Sequence, residues 1–151
     1  MPSWPRATAE EHLALARVGR LATVTAAGRP HVVPVCFALA GGRVVTAVDA
    51  KSKVTTELTR LENVRATGRA SLLVDHYEED WSELWWVRVD GVAEVIRSES
   101  AIDALAEKYA QYRTARPAGP VIAIAPERWR SWIPSASRPR APEPIPAAWT
   151  C

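Results

Sequence analysis

The sequence predicts a mainly β fold, an antiparallel barrel with flanking helices, and three observations lead there. About six segments are rich in β-branched residues. Short turns such as Ala27-Gly28-Arg29 and Gly41-Gly42 join the early ones as hairpins. Few segments switch to helical period, and two of these sit between strands. Closely spaced hairpins favour a barrel over a doubly wound sheet.

The elements follow in order. Thr8-Ala9-Glu10-Glu11 has the spacing of a capping box, which predicts a helix over 9–18 with Leu13 and Ala16 inward and Leu15 as a further candidate. Arg20 to Thr25 alternates and reads as a strand. Pro30 to Ala38 is a second strand, and Pro34 inside it implies an edge, a bulge or a barrel bend. Arg43 to Val48 is a third. From Lys53 to Val64 the period becomes helical, with Val54, Leu58 and Leu61 on one face, and Gly68 ends the region. Ala70 to Asp75 is a fourth strand and His76 to Ser82 a polar, acidic loop. Leu84 to Ile96 is a long strand with a bulge or bend at Asp90-Gly91. Ser100 to Tyr112 reads as a helix with Ser100 and Asp103 as its capping pair. Val121 to Ala125 is the last strand, followed by a short helical turn over 126–130. These elements predict one domain over 1–132, and the Pro/Ala-rich stretch 133–151 reads as an extended or disordered tail.

The bulk properties exclude several classes. With 48% hydrophobic and 24% charged residues the composition is globular. A formal net charge of +2 gives no argument for a nucleic-acid or membrane partner. Cys36 lies in an apolar run and Cys151 at the end of the chain, which is no disulfide framework. The first residues lack the apolar core of a signal peptide, and no apolar run is long enough to span a membrane, so the expected location is cytoplasmic. Tryptophan is abundant, with 7 residues against 1 phenylalanine. Such rings fill cores, and the same flat surfaces suit an aromatic ligand or a subunit interface.

Candidate chemistry centres on Asp49-Ala50-Lys51-Ser52-Lys53, between a strand end and a helix start. Unpaired backbone N–H groups at a helix N-terminus favour anions. Lys51, Lys53 and the hydroxyls of Ser52, Thr55 and Thr56 add charge and donors, which makes a phosphate cradle. A solvated basic turn explains the same residues. No Walker loop is present, since the glycines are missing. His12, His31 and His76 have no metal-ligand spacing, so no metal is expected. Asp75, Glu78, Glu79, Asp80 and Glu83 could pair as carboxylates but read more simply as a solvated loop. Cys36 in an apolar strand suits inert packing better than nucleophilic attack. No catalytic residue stands out, so an enzyme of this sequence would leave the chemistry to a cofactor.

Several of these motifs resemble a known family. Leu21-Ala-Thr-Val-Thr25 with Gly28-Arg-Pro-His-Val-Val-Pro34 resembles the opening strands of the pyridoxamine 5′-phosphate oxidase-like superfamily. Lys51-Ser-Lys53 and the Leu58/Leu61 helix resemble its phosphate-binding turn. Ser71-Leu-Leu-Val-Asp75-His-Tyr, Trp81 and Leu84-Trp-Trp-Val-Arg-Val-Asp-Gly91 are similar to a branch that uses the deazaflavin coenzyme F420, as is the closing Gly119-Pro-Val-Ile with Pro126 and Trp132. The resemblance covers roughly 9–132. It implies a split β-barrel of the FMN-binding type, a homodimer, and a cofactor at the subunit interface. It implies cofactor contact by Val33, Pro34, Val35, Cys36 and Phe37, by Thr46 and Ala47, and by Lys51, Ser52, Lys53 and Thr56. Lys53 matches the lysine that meets the phosphate. Ser52 stands where flavin-using relatives often have arginine, which turns the choice from FMN toward F420. Ala66-Thr-Gly68 replaces a common Asn-Pro. Trp85 and Trp86 are candidates to flank the ring, and Arg60 and Arg65 to steer an anionic tail.

Three readings follow. The first is an F420-dependent oxidoreductase that passes hydride to or from a small organic substrate. The second is an enzyme using FMN. The third is a non-catalytic protein that carries or sequesters a cofactor on the same fold.

Overall fold

The computed structural model describes residues 2–48 and 55–135, the side chains of 55–58 excepted. Chain order is α1 (Arg6–Leu15), β1 (Gly19–Val24), β2 (Pro30–Val35), β3 (Ala38–Ala40), β4 (Arg43–Ala47), α2 (Thr55–Thr67), β5 (Arg69–His76), a 3-10 turn (Trp81–Glu83), β6 (Trp85–Ile96), α3 (Glu99–Lys108), α4 (Ala110–Thr114) and β7 (Val121–Trp132). The strands form one antiparallel sheet in the order β2-β1-β5-β6-β7-β4-β3.

Chain continuity forces this sheet to curl. Laid flat, its two edge strands would stand roughly 29 Å apart. Yet β2 and β3 are joined by Cys36 and Phe37 alone, a step of at most about 11 Å. The edges must therefore approach one another, as in a half-closed barrel. The expected mainly β barrel with flanking helices is the observed architecture, with seven strands rather than six.

Alternation then sorts each strand. Leu21, Leu72, Val74, Val87, Val89, Ile122 and Ile124 face inward and are fully buried. They pack with Trp4, Leu13 and Leu61 into the main core. Val45, Ala47, Val121 and Ala123 point outward, where α3 covers them with Ile102 and Leu105. No described element covers the outer face of β2, β1, β5, β6 and the second half of β7.

Several local expectations are corrected. The capping box does not form: Pro5 is the N-cap of α1, without a side-chain cap bond, and Thr8 lies inside the helix. The chain enters one turn early because Trp4 is anchored, its N–H bonded to Ser131 Oγ at 3.0 Å and its ring stacked on His12 at 3.8 Å. Leu15 is exposed rather than inward. The second strand breaks at Cys36 into β2 and β3. The third helix begins earlier, capped by Ser98, whose hydroxyl accepts from Ala101 N–H, and it breaks at Tyr109. The helical turn over 126–130 does not exist, because β7 continues as a strand to Trp132 alongside the equally long β6. Pro126 fits there because the ladder shifts register at Asp90/Gly91, as the sequence predicts, and Pro126 stands opposite Gly91 at that shift. Only glycine serves at 91, since a Cβ would run into the Ala125 carbonyl oxygen. No described helix is long and apolar enough to cross a membrane.

Candidate cofactor site

The Lys51-Ser52-Lys53 segment lies outside the described residues, as does the side chain of Thr56. Its two anchors are described. On one side β4 ends at Ala47, paired with Val121, and Val48 N–H bonds Pro120 O at 3.2 Å. On the other, α2 begins at Thr55 and runs for 13 residues. Its inner face packs Leu61 and Val64 into the core, and Asn63 Nδ2 donates to the buried Thr23 Oγ1 at 3.0 Å. Its first N–H groups have no partner within the helix, as at any helix start. The lysines thus precede, in sequence, the N-terminus of a helix fixed to the barrel.

The β2–β3 connection and β4 meet at the seam of the barrel. Thr46 Oγ1 donates to Cys36 O at 2.7 Å. Phe37 is fully buried, its N–H donating to Tyr109 Oη at 3.0 Å, and Lys108 Nζ lies 3.9 Å from the centre of its ring. Val35, Thr46 and Ala47 are buried as well, Val35 in the main core and Ala47 under α3. Pro34 is exposed, and Val33 and Cys36 are half-buried. Of the residues expected to contact cofactor, Pro34, Val33 and Cys36 retain access to solvent.

Trp85 and Trp86 point to opposite faces of β6. Trp85 faces inward beside Trp4 and His12, with His76 stacked on it at 6.1 Å. Trp86 faces outward opposite Trp132, with the Arg88 guanidinium 5.9 Å from its ring centre. Neither stands at the seam. Arg60 is 8% exposed, so it serves packing of α2 rather than a tail in solvent, whereas Arg65 is exposed.

Several of the remaining candidates have structural roles. His12 is buried and its Nδ1 donates to Thr8 O at 2.8 Å. His76 Nε2 lies 2.6 Å from Glu78 Oε1. His31 Nδ1 is buried without a hydrogen-bond partner. In the acidic loop, Asp80 caps the 3-10 turn by accepting from Ser82 N–H, and Glu78, Glu79 and Asp80 are exposed. Among the described residues, no cluster of His, Cys, Asp and Glu could hold a metal. Arg116 is held above its ordinary ionisation range by hydrogen bonds first to Glu99 and then to Asp103, which ties the loop after α4 to α3. Sequence reasoning missed the Trp4–His12–Trp85 stack and the Tyr109 bridge to Phe37. Both join residues far apart in the chain, and no local period signals them.

Residues 6–133 match the profile of the family described as pyridoxamine 5′-phosphate oxidase. The chain belongs to that family. No curated protein matches it. Solved structures of similar fold include the conserved hypothetical protein Rv2991 of Mycobacterium tuberculosis, with TM-score 0.68, 23% identity, 86% of this chain and 85% of that one covered. An FAD-binding protein of Mycobacterium smegmatis has TM-score 0.61 and 17% identity, covering 87% and 97%. A heme-binding protein of the same species has TM-score 0.61 and 25% identity, covering 87% of this chain and 60% of that one. Membership makes the curled sheet the split barrel of the pyridoxamine 5′-phosphate oxidase fold.

Proposed function

We propose that this member of the pyridoxamine 5′-phosphate oxidase family is an oxidoreductase that binds the deazaflavin coenzyme F420 as a homodimer, in the cytoplasm. The observation that carries the reading is the β4–α2 junction. There a buried strand hands over, through a segment with two lysines, to the start of a helix packed on the barrel. Oxyanions are favoured at such a helix start, and lysines add charge.

When bound, the deazaflavin supplies a two-electron hydride carrier. The chain's own residues bind and orient it. Lys51, Lys53 and the first N–H groups of α2 hold the phosphate. Pro34, Val33 and Cys36 contact the ring at the seam, and Thr46 fixes the Cys36 carbonyl there. Ser52, in place of an arginine, lowers the charge offered to the doubly charged FMN phosphate and favours F420, whose phosphate is a singly charged diester.

A distance within the chain is consistent with the homodimer. Ala47 pairs with Val121 and Trp86 with Trp132, at opposite ends of β7. That is roughly 35 Å of strand. Trp86 therefore does not serve the junction of its own protomer, and in a homodimer it would flank its partner's.

The test is a binding comparison by tryptophan quenching with F420, FMN, FAD and heme, followed by turnover of unsaturated substrates with reduced F420. Quenching by F420 at lower concentration than by FMN supports the reading; the reverse order replaces F420 with flavin. The binding roles of the FAD- and heme-binding relatives favour a second reading, sequestration of a cofactor. It predicts tight binding without turnover.

A further inference from the structure

The loop between β5 and β6 leaves two large aromatic side chains in solvent. Tyr77 and Trp81 are 69% and 74% exposed, and they bracket Glu78, Glu79 and Asp80, which are exposed as well. Two such rings on one loop form a patch rather than a scatter, and patches of this kind mark contacts. The backbone holds them there. Asp80 accepts from Ser82 N–H at 2.9 Å and from Ser82 Oγ at 2.6 Å, and Leu84 N–H bonds Trp81 O at 3.3 Å. Leu84 itself is buried and anchors the turn.

The rings are set in negative charge. Between Arg69 and Arg88 the sequence has five carboxylates and neither lysine nor arginine. Asp75 pairs with Arg20 at 3.6 Å, and Glu78 lies 2.6 Å from His76 Nε2. Glu79 makes no ion pair among the described residues. Aromatic rings beside carboxylates suit a segment that carries both arginine and proline. A guanidinium is attracted to a ring face and pairs with a carboxylate, and prolines lie flat on exposed rings.

The chain holds such a segment. Arg138-Pro139-Arg140-Ala141-Pro142 has two arginines, two prolines and no acid; it lies outside the described residues. The described chain leads toward it from beside the loop. β7 ends at Trp132, paired with Trp86, and Trp86 is two residues from Leu84. One strand spacing, two residues of strand and the closed turn from Leu84 back to Trp81 add to at most about 19 Å. The six residues from Trp132 to Arg138 span up to about 20 Å. A tether of this length makes the encounter intramolecular, at an effective concentration on the order of millimolar.

We infer that the segment Arg138-Pro139-Arg140-Ala141-Pro142 docks on the Tyr77–Trp81 loop of its own chain. Its arginines meet Trp81 and Glu79, and its prolines cover the rings. Proline fixes φ in advance, so the segment loses less freedom on docking than an ordinary one. The inference depends neither on the cofactor nor on the homodimer.

The experiment is trypsin cleavage of the full chain after Arg140, followed by mass spectrometry. Arg138 precedes proline and resists the protease, so Arg140–Ala141 is the bond to follow. A free peptide of residues 134–146 gives the unprotected rate, and circular dichroism confirms the fold of each variant. The native chain is cut at least tenfold more slowly than the peptide. Trp81→Ser and Glu79→Gln each bring the rate to within about threefold of the peptide's. Arg138→Gln does the same against a peptide with the same change. Excess Arg140→Gln chain, whose loop is intact, leaves cleavage of the Trp81→Ser chain as fast as before. A native chain cut as fast as the peptide, or protection that survives Trp81→Ser and Glu79→Gln, overturns the inference. Slower cleavage of the Trp81→Ser chain in the mixture places the contact between copies and overturns it too.

Discussion

At the scale of single residues, the chain spends polar groups where they fix geometry. Tyr109 Oη takes the N–H of buried Phe37 and lies 2.9 Å from Arg17 O, so one hydroxyl holds the β2–β3 connection to the start of β1 and the end of α3. Tyr109→Phe leaves that buried N–H without a partner and is expected to destabilise the fold by about 1–3 kcal/mol in urea unfolding. Lys53 is the opposite case, a residue to which the proposed function gives a ligand. Lys53→Ala is expected to weaken cofactor binding by about 1.5–3 kcal/mol in a quenching titration, with the unfolding midpoint nearly unchanged. Unchanged affinity in a folded variant removes the phosphate role. Lys53 was legible as a candidate because charge beside a helix start is a local pattern. Tyr109 was not, because its partners lie 72 and 92 positions away.

At the scale of elements, the long β6–β7 pair does most to set the fold. Its register shift at Asp90/Gly91 lets Pro126 sit inside a strand and puts Trp129 inward while Arg128 and Arg130 face out. Gly91→Ala forces a Cβ against the Ala125 carbonyl. The expected loss is about 1–3 kcal/mol, seen as a lower unfolding midpoint, with β7 displaced from the bulge onward. The bulge itself was visible in Asp90-Gly91. The continuation of β7 was not. Pro126 suggested a helix start, since proline suits a first helical turn, and only pairing with an equally long β6 overrides that preference.

At the scale of the whole molecule, the curled sheet buries one face on a shared core and leaves half of the other uncovered. Ligand binding should stabilise the fold by mass action. Cofactor at 100 times its dissociation constant adds about 2.7 kcal/mol, read as an upward shift in melting temperature. A cofactor that quenches without shifting the melt does not bind the native chain in preference to the unfolded one.

Much of this protein was determined by local sequence alone. β-branched alternation set most strands, paired glycines set the hairpin between β3 and β4, and the family motifs from Leu21 to Trp132 set the barrel. These signals are local because side-chain period and turn conformation depend on a few neighbours. The tertiary structure decided the rest. It buried Phe37, Thr46 and Ala47 rather than exposing them, sent Trp85 and Trp86 to opposite faces, withdrew Arg60 into the packing of α2, and brought Trp4 onto His12. Each of these depends on strand register and on which face a helix covers, and both are fixed by contacts between segments that the sequence places far apart.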